Sequence, residues 1–147
     1  MVAAVESGVK TPWHLWAVGV LSALWNSYGC YDFAMIQTSN KEYLAAFSAE
    51  QIAHVNAYPI WMDLAWTLGV WGAIAGSALL LLRRRFAMPV FGASFAGLIV
   101  SIVYNYGLTE GGALSGTQGL IISGVLVAVA LALFLYARSM AKRGVLA

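Results

Sequence analysis

Five side chains of this sequence carry carboxylates or amides where long apolar runs surround them: Asn26, Asp32, Asp63, Asn105 and Gln118. An ionisable or amide group in hydrocarbon is costly, so each marks a site for a solute, a proton or a neighbouring helix. With about 1.5 Å of helical rise per residue, Asp32 lies roughly 28 Å beyond Trp13, and Asn105 roughly 30 Å beyond Arg85. Asp63 falls about 6 Å inside Pro59, Gln118 opens the last apolar run, and Asn26 sits about 9 Å deeper than Asp32. Tyr28, Tyr31, Tyr58, Trp61, Trp66, Tyr104 and Tyr106 crowd the same level. The expected arrangement is a polar, aromatic-lined recess open at one face of a membrane. Its candidate ligand-binding residues are Asp32, Asp63, Asn26, Asn105, Trp66, Tyr28 and Gln118.

Other uses of the same residues stay open. Tyrosine and tryptophan at this level form an interfacial belt in many membrane proteins. Asn26, Ser101 and Asn105 could join helices by hydrogen bonds. Asp32 and Asp63 could each be solvated near the end of its span. Were the two carboxylates to face one another, one would hold a proton near neutral pH.

Other chemistry lacks its parts. His14 and His54 belong to opposite ends of the spans, so they cannot ligate one haem or metal. Cys30 is the only cysteine and has no partner for a thiol mechanism. No glycine-rich phosphate loop precedes a lysine. The expectation is no enzyme, no cofactor and no metal.

Four elements must position these groups. A bilayer core of about 30 Å needs about 20 mainly apolar residues per helix, and four segments qualify: 13–36, 59–82, 86–107 and 118–137. Thr11-Pro12 and Tyr58-Pro59 read as helix starts, and Pro89 falls in a first turn. Glycines at 107, 111, 112 and 116 punctuate the end of the third span and the start of the fourth. Between the first two spans, Asn40 can cap a short helix. Ser48 to Gln51 then reads as a capping box opening an amphipathic helix through Val55 and Tyr58, one that lies on the membrane or folds over the mouth of the bundle. Gly97, Ser101 and Asn105 form a small-to-polar stripe, and Gly69, Gly72 and Gly76 suit close packing within the chain or against a second one. The inner halves of the later spans hold little that is polar, so no through-channel is expected.

The chain of 147 residues is 61% hydrophobic and 10% charged. A soluble domain carries about 25% charged residues, so this is an integral membrane protein. A nucleic-acid module, a secreted disulfide scaffold and a disordered regulator are excluded. Arg83, Arg84, Arg85, Arg138, Lys142, Arg143 and Lys10 all belong to one side, which the positive-inside rule makes cytoplasmic. The expected fold is an all-α four-helix bundle in one membrane domain, N-in and C-in, with the amphipathic helix in the first outer loop.

Pro12-Trp13-His14-Leu15-Trp16, Gln37-Thr38-Ser39-Asn40, and Leu79 to Leu82 followed by Arg83-Arg84-Arg85 carry a resemblance over about the first two-thirds of the chain. They resemble a family of small, uncharacterised four-span bacterial inner-membrane proteins, sometimes loosely labelled sugar transporters. The resemblance implies an inner-membrane location and brings no catalytic residue or cofactor. Two function classes follow from the residues. One is a small carrier or binding protein for a polar solute such as a sugar. The other is a non-catalytic accessory subunit of a larger membrane complex, or a homo-oligomer, joined through Gly69, Gly72 and Gly76.

Overall fold

A computed structural model describes residues 8–147. Of the described residues 81% are helical, and none forms a strand. Helix α1 spans Trp13–Gln37, α2 Lys41–Leu44, α3 Ala49–Asn56, α4 Ile60–Leu81 and α5 Ala87–Val103. A π-helical turn, Tyr104–Leu108, prolongs α5, and α6 runs Gly111–Lys142. Among the described residues three helices are long and apolar enough to cross a membrane: α4, α5 with its π turn, and α6. Helix α1, at 25 residues, is also long enough, but Ser22, Asn26, Ser27 and Asp32 dilute its apolar content.

Both Pro12 and Pro59 cap their helices rather than occupying the first helical position. The Thr11 hydroxyl accepts from the Arg83 guanidinium at 2.9 Å. In the loop, Asn40 accepts from the Tyr43 amide (3.0 Å). Ser48 and Gln51 form both hydrogen bonds of a capping box, so this start signal reads correctly from sequence. Helix α6 begins earlier than the apolar run suggests, because a short turn from Gly111 precedes a break at Gly116 (φ 63°, ψ −162°). That backbone is essentially open to glycine alone.

The main contacts run α1 on α4, α4 on α5 and α5 on α6. Small residues set the closest spacing. A Cβ added at Gly97 would lie 2.5 Å from the Ala65 carbonyl oxygen, and one at Gly76 would lie 2.6 Å from the Phe91 ring. Gly69 and Gly72 meet the α5 backbone around Ser94, whose hydroxyl donates to the Gly69 carbonyl at 2.6 Å. The α4 glycine stripe is therefore used inside the chain, where it seats α5.

Apolar packing closes the cationic end. Leu15, Leu80, Ala87, Phe91, Leu133, Ala137 and Met140 share one core with Val145 and Leu146 of the tail. His14, in the first turn of α1, faces α6 with its ring hydrogen-bonded to the Tyr136 hydroxyl. No buried side-chain polar atom is left unpaired among the described residues.

Candidate functional site

At the opposite end, α3 folds over the bundle and covers a cavity of about 110 Å³. Ile36, Phe47, Ile52 and Val55 supply apolar wall; Gln51, His54, Asn56, Tyr58, Asn105 and Ser115 supply the polar residues. No aspartate, glutamate, lysine or arginine lines it. A water occupies roughly 30 Å³ of liquid, so the space suits a few waters or one small molecule.

Asn105 is the centre of this site. It stands in the π-helical turn, a distortion that often re-aims side chains at functional positions. Its Nδ2 donates to the Ser101 carbonyl at 2.9 Å, which fixes the orientation of the amide. Its Oδ1 is therefore the acceptor for the Tyr58 hydroxyl (3.2 Å) and for Nε2 of His54 (2.9 Å). The second bond requires a proton on Nε2 of His54, leaving Nδ1 unprotonated in the neutral ring. Gly111 sits directly behind this pair, where an added Cβ would collide with both Asn105 Oδ1 and His54 Nε2. Gln51 completes the clasp, donating from Nε2 to the Leu114 carbonyl at 3.0 Å. Tyr58 packs edge-on against Tyr104 (5.3 Å) and Trp66 (6.1 Å). Burial pushes the Tyr58 hydroxyl above the ordinary tyrosine range, so it remains a donor.

A second group forms where α1 meets α2. The Tyr43 hydroxyl donates to the Asp32 carboxylate, and this bond, with burial, holds Tyr43 well above the ordinary tyrosine pKa. Tyr31 packs edge-on against Tyr43 at 5.7 Å, and Tyr28 leans on Tyr31 at 6.4 Å.

The helix register parts the two carboxylates. Asn26 donates to Ala73 and Ser77 (3.2 and 3.0 Å), and Phe33 meets Trp66 at 4.6 Å. In that antiparallel register Asp63 stands opposite Gln37, five residues beyond Asp32, or about 8 Å along the axis. The shared proton proposed for a facing pair thus loses its geometry, and Tyr43 takes Asp32 instead.

Of the seven residues expected to bind a ligand, only Asn105 lines the cavity. Trp66 supports it through Tyr58. Asn26 is buried in the α1–α4 seam, where its amide joins the two helices. Tyr28 and Gln118 are exposed, and Tyr28 belongs with Asp32 to the second group. Gln51 and His54 have no site role in the sequence reading, and Tyr58 stands there only among the aromatic residues at the level of the recess. Their spacing of three and four residues is the signal that places them on one helical face.

Fold and composition together define a multi-pass membrane protein, with three helices that can span the bilayer. No known protein family, curated protein or solved structure matches the chain.

Proposed function

We propose that this protein binds a small, uncharged polar solute in the cavity beneath α3. The observation that carries the reading is the cavity itself: polar and apolar side chains line it together, and no aspartate, glutamate, lysine or arginine does. An apolar cavity of roughly 150 Å³ holds a benzene-sized molecule, so about 110 Å³ favours a solute smaller than a hexose. A sugar would need α3 to lift. Hydrogen-bonding capacity remains on Nδ1 of His54, on the hydroxyls of Tyr58 and Ser115, and on one N–H each of Gln51 and Asn105. That set fits short polyols, amides and ureas.

The wider reading is a four-span protein of a bacterial inner membrane with both ends on the cytoplasmic side. Helix α1 supports it, since its 25 residues would extend about 37 Å and it packs along α4. The clustered arginines and lysines support the orientation. The core that closes the cationic end favours binding, or carriage by a moving bundle, over a continuous pore. The accessory-subunit reading draws on a different feature. The face of α1 turned away from α4 exposes Val20, Leu21, Leu24 and Tyr28, which could meet lipid or a partner helix.

Native mass spectrometry of the gently purified protein tests the proposal. A bound mass of a few heavy atoms, absent from Asn105→Leu, is the expected result. A protein that carries no such mass, and takes up none of glycerol, acetamide or urea, would count against it.

A further inference from the structure

The cationic residues look scattered in sequence, in a turn near the middle of the chain and at the end of α6. The fold brings them together. Helix α6 ends at Gly144, whose left-handed backbone (φ 73°) turns the chain back, and the Val145 amide donates to the Met140 carbonyl at 3.0 Å. Val145 and Leu146 are then buried in the core beside Leu80 and Ala87. The Ala147 amide donates to the Arg83 carbonyl (2.8 Å), and the Arg85 amide donates to the Ala147 oxygen (2.9 Å). The tail is thus a clasp between Arg83–Arg85 on one side and Arg138, Lys142 and Arg143 on the other.

The turn itself is shaped for a surface contact. Arg83 adopts a left-handed backbone (φ 54°), a conformation that suits glycine far better than arginine. All six cations are exposed. Leu82 and Phe86, which bracket the three arginines, are 68% and 67% exposed, and Trp13 nearby is 78% exposed. Apolar side chains at either edge of a cationic turn would enter acyl chains while the guanidinium groups stay at the level of the phosphates.

We propose that this end of the molecule is a binding site for the headgroup of an anionic phospholipid, with phosphate oxygens held jointly by the Arg83–Arg85 turn and the α6 terminus. Charge complementarity selects the anionic lipid, because arginine pairs with phosphate through two parallel hydrogen bonds. The apolar bracket selects a lipid over free phosphate. The site is separate from the cavity beneath α3 and does not depend on how that cavity is used.

The test is native mass spectrometry of the full chain released from micelles holding equimolar phosphatidylglycerol and phosphatidylcholine. Wild type should retain the anionic lipid at least about threefold over the zwitterionic one, as expected where basic pockets read headgroups. Arg83→Gln/Arg84→Gln/Arg85→Gln and Arg138→Gln/Lys142→Gln/Arg143→Gln should each bring the ratio close to one. Should either triple variant fail to fold, Arg84→Gln and Arg138→Gln serve in its place, each lowering the ratio. A ratio near one in wild type would overturn the proposal, as would an undiminished preference after neutralising either cluster. Displacement of the lipid by millimolar inorganic phosphate would also overturn it, by showing a free-anion site.

Discussion

His54 Nε2 lies 2.9 Å from Asn105 Oδ1, and this bond fastens the loop helix α3 to the π-helical end of α5. Tyr58 donates to the same oxygen, so the Asn105 amide accepts two bonds from the segment that covers the cavity. Removing that oxygen would release the cover at two points.

Gly111→Ala should therefore destabilise the protein. The added methyl group collides with the His54–Asn105 pair, and losing a half-buried hydrogen bond costs about 1 kcal/mol. Gly124 has open space around it, and Gly124→Ala should be neutral or stabilising by about 0.5–1 kcal/mol. Unfolding of both variants in one detergent gives the comparison.

The α4–α5 contact makes a second prediction. A Cβ at Gly97 would press on the Ala65 carbonyl and the Gly69 backbone, none of which can rotate away. Gly97→Ala should cost about 1–3 kcal/mol, the usual penalty of overpacking. Gly72→Leu and Gly76→Leu should lower the yield of folded protein and leave the oligomeric state of the surviving fraction unchanged. Size-exclusion chromatography with light scattering reads both.

Tyr43 and Asp32 set a pH dependence. The Asp32 hydrogen bond raises the folded-state pKa of Tyr43 above its unfolded value, which is about 10. Stability from this pair is thus complete below about pH 10 and is lost as pH rises through the higher folded value. Tyrosinate absorbance should show Tyr43 among the last tyrosines to ionise in wild type. Asp32→Asn should bring its ionisation down toward the ordinary range. A titration curve unaffected by Asp32→Asn would contradict the contact.

Much of the helix framework was legible because its signals are local. Apolar runs, prolines at helix starts, and the Ser48–Gln51 capping box act within a few residues of one another. The site was less legible because it depends on how distant elements meet. Asn105 could be singled out as an amide in hydrocarbon. Its partners His54 and Tyr58 could not, since polar residues on a loop helix are equally at home on a membrane surface. Only tertiary packing shows that α3 turns Gln51 and His54 inward, and that Tyr58 just beyond its end joins them. Levels judged from helix ends likewise placed Asp32 with Asp63, whereas the α1–α4 register is set by side-chain fit at Asn26 and Phe33. The clasp by Val145–Ala147 has no sequence signature beyond a glycine at 144.

The central claim, that the His54–Asn105–Tyr58 group forms the polar wall of a solute site, is tested most directly by nitrogen NMR of the histidine rings. The chain contains two histidines, and His14, at the other end, serves as the internal control. The account predicts that His54 carries its proton on Nε2. Its resonances should shift saturably with a small neutral solute such as glycerol or urea, while those of His14 stay fixed. Val55→Phe, which fills the cavity, should abolish the shift. A His54 ring protonated on Nδ1, with resonances indifferent to every solute in the panel, would contradict the account.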